Sequence, residues 1–285
     1  MSSLCFAVVP TAAKTALDLG SSLFVLLFSR CLIGLFLLMP ILFIQKRTLV
    51  LPKKFLLPVL FSSLISVTLI ATTYHAIELL DIAIVLIIMY SFPLGITAIA
   101  QIRNEFKTSL SQWLCLIGVM FGLMIIISDG AFHGNIYGLA VSILALILMT
   151  IFIYYSDKLV LHIGSQVFNF HMNFCSLVIL ICAHLLFDFT VEIPESFGGK
   201  LALFCNGICY IFSYVLFFAG SKQIGIARAS VLSQTEPLFA TLLALVFLNQ
   251  FLTFIECFGF FIVIIALYYY EKYKTLSPIR NEDPH

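Results

Sequence analysis

The sequence predicts an all-α integral membrane protein: ten transmembrane helices arranged as two inverted five-helix repeats. Three observations carry this prediction. The first is composition. Hydrophobic residues fill 62% of 285 positions and charged residues only 10%, where an ordinary soluble domain has about 45–50% and about 25%. A membrane helix takes about 20 mostly apolar residues, so the chain has room for roughly ten. The second is an internal match. Tyr90, Pro93, Leu94 and Thr97 recur 144 positions later as Gln234, Pro237, Leu238 and Thr241. The third is the placement of Lys and Arg, which gather in alternate loops.

In chain order, the first helix is expected over 4–17. It is short for a span, and Pro10 interrupts it. A signal peptide is the competing reading, with Thr11-Ala12-Ala13 as a pseudo-cleavage site. The lack of a positive segment before the apolar run argues against it. Lys14 and Asp18 lie one turn apart near the helix end, positioned to pair. The second helix, 22–44, contains Arg30 about two turns from its start. A basic loop follows, with Lys46, Arg47, Lys53 and Lys54. Helices are then expected over 55–77, 82–102 (with Pro93 at its middle) and 112–127. The segment 129–135 joins the halves.

In the second half, helices are expected over 136–155, 165–187, 200–220, 226–248 and 251–270. Asp157, Lys158 and His162 follow the first of these as a loop, and Lys222 and Arg228 flank a later turn. The tail, 271–285, is charged, contains two prolines and is expected to be disordered. The implied domains are 1–130, 131–272 and a cytoplasmic tail at 273–285.

Orientation follows from the basic residues, which favour cytoplasmic loops. With the N-terminus inside, the inner loops hold twelve of the fifteen, from Lys46 to Arg280. The outer loops hold Glu78, Asp81, Asp129, Asp188, Glu192 and Glu195. Both termini are therefore expected in the cytoplasm, with the protein in the plasma (inner) membrane.

The repeat extends beyond the prolines. At the offset of 144, Lys14 meets Lys158, Gly20 meets Gly164, Ser21 meets Ser165 and Cys31 meets Cys175. After the prolines the register slips, and Gly118 matches Gly259 at 141. Five helices per half is an odd number, so the second half must enter the membrane upside down. Such repeats place a substrate site near the midplane, at broken helices.

These residues resemble the EamA branch of the drug/metabolite transporter superfamily. The resemblance lies in Lys14 followed by Arg30 in Phe-Ser-Arg-Cys-Leu-Ile-Gly, in Ala83, Pro93, Glu105, Gly118 and Gly122 in order, and in Arg228, Glu236-Pro237 and Gly259 in the second half. It covers nearly the whole chain and implies a ten-helix secondary transporter. Two departures stand out. The family usually carries about two more turns before this point in its first helix, and Gln250 stands where it often has Glu.

Candidate site residues follow from chemistry and helical spacing. Ser230, Ser233, Gln234, Pro237 and Thr241 share one helix face. Each proline removes a backbone N–H and frees a carbonyl one turn back, at Met89 and Ser233. Tyr90, Pro93, Thr97, Gln234, Pro237 and Thr241 are expected to line a path. Asn206 and Tyr210 join them from a stripe that continues to Ser213 and Tyr214. Arg30 is the expected positive group: intramembrane charges usually face a polar interior, although Arg also snorkels to the interface. Lys14 and Glu236 are candidates for charge or proton coupling, each with a structural alternative. For Lys14 that is snorkelling, and for Glu236 it is accepting hydrogen bonds beside Pro237. His75 and His171 read as hydrogen-bonded packing residues. The polar stripes also suit interhelical bonding.

The leading function is secondary transport, as exporter or importer, of a small polar metabolite such as an amino acid or related compound. A membrane-embedded enzyme acting on a lipid-linked or small substrate is the alternative, ranked lower because no H-E-x-x-H or G-x-S-x-G is present. A channel lacks a visible filter. There is no G-x-x-x-x-G-K-[ST] to power transport by ATP. The eight cysteines form no C-x-x-C pattern and read as small buried hydrophobes. No metal or cofactor is expected. The expected partners are a small-molecule substrate and the lipid bilayer, with a homodimer as a further option and no nucleic acid.

Overall fold

The computed structural model describes residues 1–46, 50–80, 82–105, 108–127, 135–247 and 254–272. It is all-α, as the composition requires, and the described residues form twelve helical segments. These are α1 (Ser2–Asp18), α2 (Leu23–Ile44), α3 (Lys53–Leu79), α4 (Ile82–Met89), α5 (Phe92–Ile102) and α6 (Leu110–Ile127), then α7 (Ile136–Ile163), α8 (Ser165–Phe187), α9 (Phe197–Ile224), α10 (Ile226–Ser233), α11 (Glu236–Phe247) and α12 (Phe254–Lys272). Among the described residues six stretches are long and apolar enough to cross a membrane: 23–44, 53–79, 84–102, 136–163, 165–187 and 197–224. Much of their apolar surface is exposed, as a lipid-facing helix requires. Phe36, Leu57, Leu186 and Phe197 are each 70% exposed or more.

The helix ends follow local chemistry. Ser22 caps α2, its hydroxyl accepting from the Val25 amide at 3.4 Å, and Ser196 caps α9 in the same way through Gly199 at 3.1 Å. Gly20 and Gly164 sit at the turns before α2 and α8 with φ of 93° and 83°, a conformation that a side chain would strain. The two glycines are 144 positions apart.

Several boundaries differ from the sequence expectation. The helix expected to begin at residue 55 begins at Lys53, so Lys53 and Lys54, expected in a loop, open it. The helix expected to stop at residue 155 runs on to Ile163, because the Asp157-Lys158 pair is carried within it and Gly164 ends it. The helix expected over 200–220 extends from the Ser196 cap to Gly225, which takes φ 85°. The last helix continues to Lys272, so Glu271, expected in the tail, is helical and pairs with Arg228. Residues 273–285, Arg47, Lys107, Asp81, Asp129 and Gln250 lie outside the described residues.

The chain divides into two compact units. The first comprises Met1–Leu69, Phe152–Gly225 and Thr235–Ala240. In it α1 lies along α9, α2 packs on α8 and α9, and α8 packs on α9. Close approach is set by small residues: a Cβ at Gly207 would meet Ile33 at 2.7 Å, and one at Gly34 would meet the Asn173 side chain at 3.2 Å. The second unit comprises Ile70–Ile151, Ile226–Gln234 and Thr241–His285. There α6 packs on α12, α5 on α10 and α4 on α6. The α6–α12 crossing is a backbone contact, since a Cβ at Gly259 would stand 2.8 Å from the Gly122 carbonyl oxygen.

Candidate functional site

Arg30 is the natural starting point, because it is a charge in the middle of an apolar helix. It sits two turns into α2 and is only 9% exposed. Its guanidinium carbon lies 3.9 Å over the centre of the Tyr210 ring on α9. A desolvated cation–π contact of this kind contributes about 2 kcal/mol or more. It holds the charge in place without spending the N–H donors. The buried Nε makes no hydrogen bond to any described residue.

Tyr210 is 6% exposed and Ser66 of α3 lies within hydrogen-bonding reach of it. One turn on, Tyr214 is 7% exposed and packs edge-on to Tyr210 at 4.9 Å and to Phe6 at 5.0 Å. Arg30 and Glu236 both act electrostatically on Tyr214, which brings a cation, a carboxylate and two phenols into one neighbourhood of the first unit. Such a set can hold an anionic group against the guanidinium and a polar or cationic group near the carboxylate.

The amides beside it are divided between structure and site. Asn206, one turn before Tyr210, is 1% exposed and donates from Nδ2 to the Val9 carbonyl of α1 at 2.9 Å. Its buried Oδ1 accepts no hydrogen bond from the described residues. On α8, Asn169 donates to the Ser165 carbonyl and Asn173 to the Asn169 carbonyl, both at 2.7 Å, and their buried Oδ1 atoms are likewise without a bond. Other members of the polar stripes join helices. Ser62 pairs with Ser156 at 3.2 Å, Ser63 donates to the Met172 carbonyl, and Ser2 donates to the Ser213 carbonyl.

The two proline-broken helices part at Tyr90-Ser91, within the second unit, and at Gln234-Thr235, where the chain passes from the second unit to the first. Pro93 and Pro237 are each the second residue of the segment that follows, where a missing N–H costs nothing. Both prolines are buried. Gln234 is 1% exposed and its Nε2 donates to the Tyr90 carbonyl at 2.9 Å. This ties α10 to the end of α4. Thr97 is fully buried, and its hydroxyl makes no hydrogen bond to a described residue. The Thr241 side chain lies outside the described residues. Lys14 is exposed on α1, away from that helix's buried face of Ala7, Ala12, Ala13 and Ala16. Glu236 is half-buried at the start of α11.

One buried charge escaped the sequence reading. Asp157, placed there in a loop, lies within α7, is 0% exposed, and accepts from the Ser221 hydroxyl of α9 at 2.6 Å. The signal for it was the apolar run after the charges: Leu159 and Val160 are both buried.

Comparison with known proteins fits this architecture. The model of the EamA-like transporter family matches residues 1–128 and again 136–270. The uncharacterized transporter YcbK of Bacillus subtilis (strain 168) is 25% identical over 207 residues, which is 66% of this chain and 64% of that protein, so the match spans just under two thirds of the relative. A solved crystal structure superposes with a TM-score of 0.80 at 14% identity, covering 94% of both chains. At that identity the likeness speaks for the fold alone. The chain is a multi-pass membrane protein by its apolar helices and belongs to the EamA-like transporter family, within the drug/metabolite transporter superfamily.

Proposed function

We propose that the protein is a secondary transporter of a small polar metabolite with an anionic group, an amino acid or a related compound, moved across the plasma membrane by alternating access. The observation that carries this is Arg30. A buried guanidinium stacked on Tyr210 with an unspent Nε donor suits bidentate capture of a carboxylate or phosphate. Glu236 and the Asn206 Oδ1 supply acceptors for an ammonium or hydroxyl group on the same molecule.

Ten membrane crossings in two inverted five-helix repeats, with both termini cytoplasmic, are part of the proposal. Several features support them. α4 and α10 are the same length and begin 144 positions apart. Gly20 and Gly164 share their backbone conformation. The family model matches the chain twice. In alternating access the breaks before Pro93 and Pro237 are the natural bending points. Tyr90, Thr97, Gln234 and Thr241 would then face the substrate path.

The test is uptake into proteoliposomes of each proteinogenic amino acid, with wild-type protein and Arg30→Ala. Uptake of at least one compound, lost in Arg30→Ala at equal reconstitution, is expected. Equal uptake by both proteins would reduce Arg30 to a membrane anchor.

A further inference from the structure

Asp157 takes no part in the site described above, yet an ionised carboxylate buried in a membrane span is costly, and such groups mark ion and proton pathways. It is fully buried, and its partner Ser221 is too. The Ser221 hydroxyl stands 2.6 Å from Asp157 Oδ1 and 3.0 Å from the Phe218 carbonyl of its own helix. One hydroxyl has one proton to donate. The geometry therefore holds two bonding patterns on the same heavy atoms. With Asp157 ionised, Ser221 donates to Oδ1, and the 2.6 Å separation is that of a charge-assisted O–H···O⁻ bond. With a proton on Oδ1, the acid donates to Ser221 Oγ, and the Ser221 hydroxyl turns to the Phe218 carbonyl. One proton is gained, one negative charge is neutralised, and no heavy atom has to move.

We propose that Asp157, with Ser221 as its reversible partner, is a proton-binding site that couples transport to proton movement. This rests on the transporter reading above and adds the coupling ion. Neighbouring contacts hold the pair in place: Ser156, the residue before, bonds Ser62 of α3 at 3.2 Å. On the helices of this pair the charged and titratable groups are Lys158 and His162, which follow Asp157 on α7, and Lys222, which follows Ser221 on α9; Lys53 and Lys54 open α3, the helix of Ser62. Lys158 is half-buried, with its ammonium 4.9 Å from the Tyr154 ring centre, and Lys222 is exposed. Lys54 lies 4.9 Å over Phe55, on which His162 stacks at 5.9 Å.

The test reads the carboxyl directly. Infrared difference spectra between acid and alkaline buffer are recorded on the full chain in lipid for wild type, Asp157→Asn, Ser221→Ala and the exposed control Glu78→Gln. The wild type should show the carbonyl stretch of a buried carboxylic acid. Asp157→Asn should delete it, Ser221→Ala should shift it, and Glu78→Gln should leave it in place. If Asp157→Asn does not fold, the shift in Ser221→Ala decides the matter. Wild-type spectra unchanged by Asp157→Asn, or by Ser221→Ala where that is the deciding variant, overturn the proposal. Coupling is then read in proteoliposomes containing a trapped pH dye, with a mixture of the proteinogenic amino acids as probe. Wild type should move protons with substrate, while Asp157→Asn should retain substrate exchange but lose the proton signal. Substrate-driven proton movement that persists in Asp157→Asn overturns the coupling role. If no amino acid moves in wild type, the substrate reading fails, and the infrared band still decides whether Asp157 takes up a proton.

Discussion

Gln234 and Tyr90 are hydrogen-bonded, amide Nε2 to carbonyl oxygen at 2.9 Å, and they are 144 positions apart. That separation is the offset at which the sequence repeats. A bond between a residue and its own counterpart is what a pseudo-twofold axis passing nearby produces. It also answers a local need, because the break before Pro93 leaves carbonyls at the end of α4 without helical partners, and an unsatisfied group in the membrane costs several kcal/mol.

Removing that amide should loosen the second unit. Gln234→Leu removes the amide that donates to the Tyr90 carbonyl, and interhelical hydrogen bonds in membranes contribute about 0.6 kcal/mol on average, up to about 1.7. A lowered thermal unfolding midpoint in detergent is expected. A midpoint equal to wild type for Gln234→Leu would show that the bond contributes nothing.

The α6–α12 crossing gives a sharper steric prediction. A Cβ at Gly259 would stand 2.8 Å from the Gly122 carbonyl oxygen, whereas one at Gly118 would meet only the Ala266 methyl at 3.4 Å. Backbone cannot yield as a side chain can, and overpacking typically costs about 1–3 kcal/mol. Gly259→Ala should therefore unfold at lower temperature than wild type, while Gly118→Ala should match it. Equal midpoints for the two variants would show that the helices slide apart without cost.

Much of this architecture was legible in the sequence. Apolar content dictated helices, Pro93 and Pro237 marked where two of them break, and Arg30 stood out because nothing else in its run is charged. The fate of Gln234 was not legible, because its face on α10 was clear but its partner is 144 residues away. Asp157 was misplaced for a related reason. A charged pair after an apolar run looks like a helix end unless the Ser221 hydroxyl that receives it across the helix interface is known. Ser213 and Ser156, read as a stripe or passed over, turn out to act through backbone and helix–helix bonds.

Topology can be checked independently of structure. Lys46 lies between α2 and α3, with Lys53 and Lys54 opening α3, and Asp188, Glu192 and Glu195 lie between α8 and α9. In the proposed topology the basic loop lies inside and the acidic one outside. Reporter fusions after Lys54 and after Glu195 should therefore report opposite sides of the membrane. The same side for both would remove the inverted-repeat arrangement.

The Arg30–Tyr210 pair separates two kinds of contribution. If, as proposed, the ring positions the guanidinium and the guanidinium meets the substrate, the two residues should fail differently. Tyr210→Phe keeps the aromatic face 3.9 Å from the charge and removes only the hydroxyl near Ser66, so transport should persist with a modest loss. Tyr210→Leu removes the face and frees the side chain to move; it should raise KM for transport strongly while the protein still folds. Arg30→Lys retains charge but loses the planar fork, and a point charge cannot replace two parallel N–H donors. A bidentate interaction in a desolvated site contributes about 1.5–3 kcal/mol, so transport efficiency should fall roughly ten- to a hundredfold. Initial uptake rates across substrate concentration, at matched reconstitution, give both parameters. Full activity in Arg30→Lys would mean that only net positive charge is needed, and full activity in Tyr210→Leu would mean that the stacked ring does not hold Arg30 in its working position.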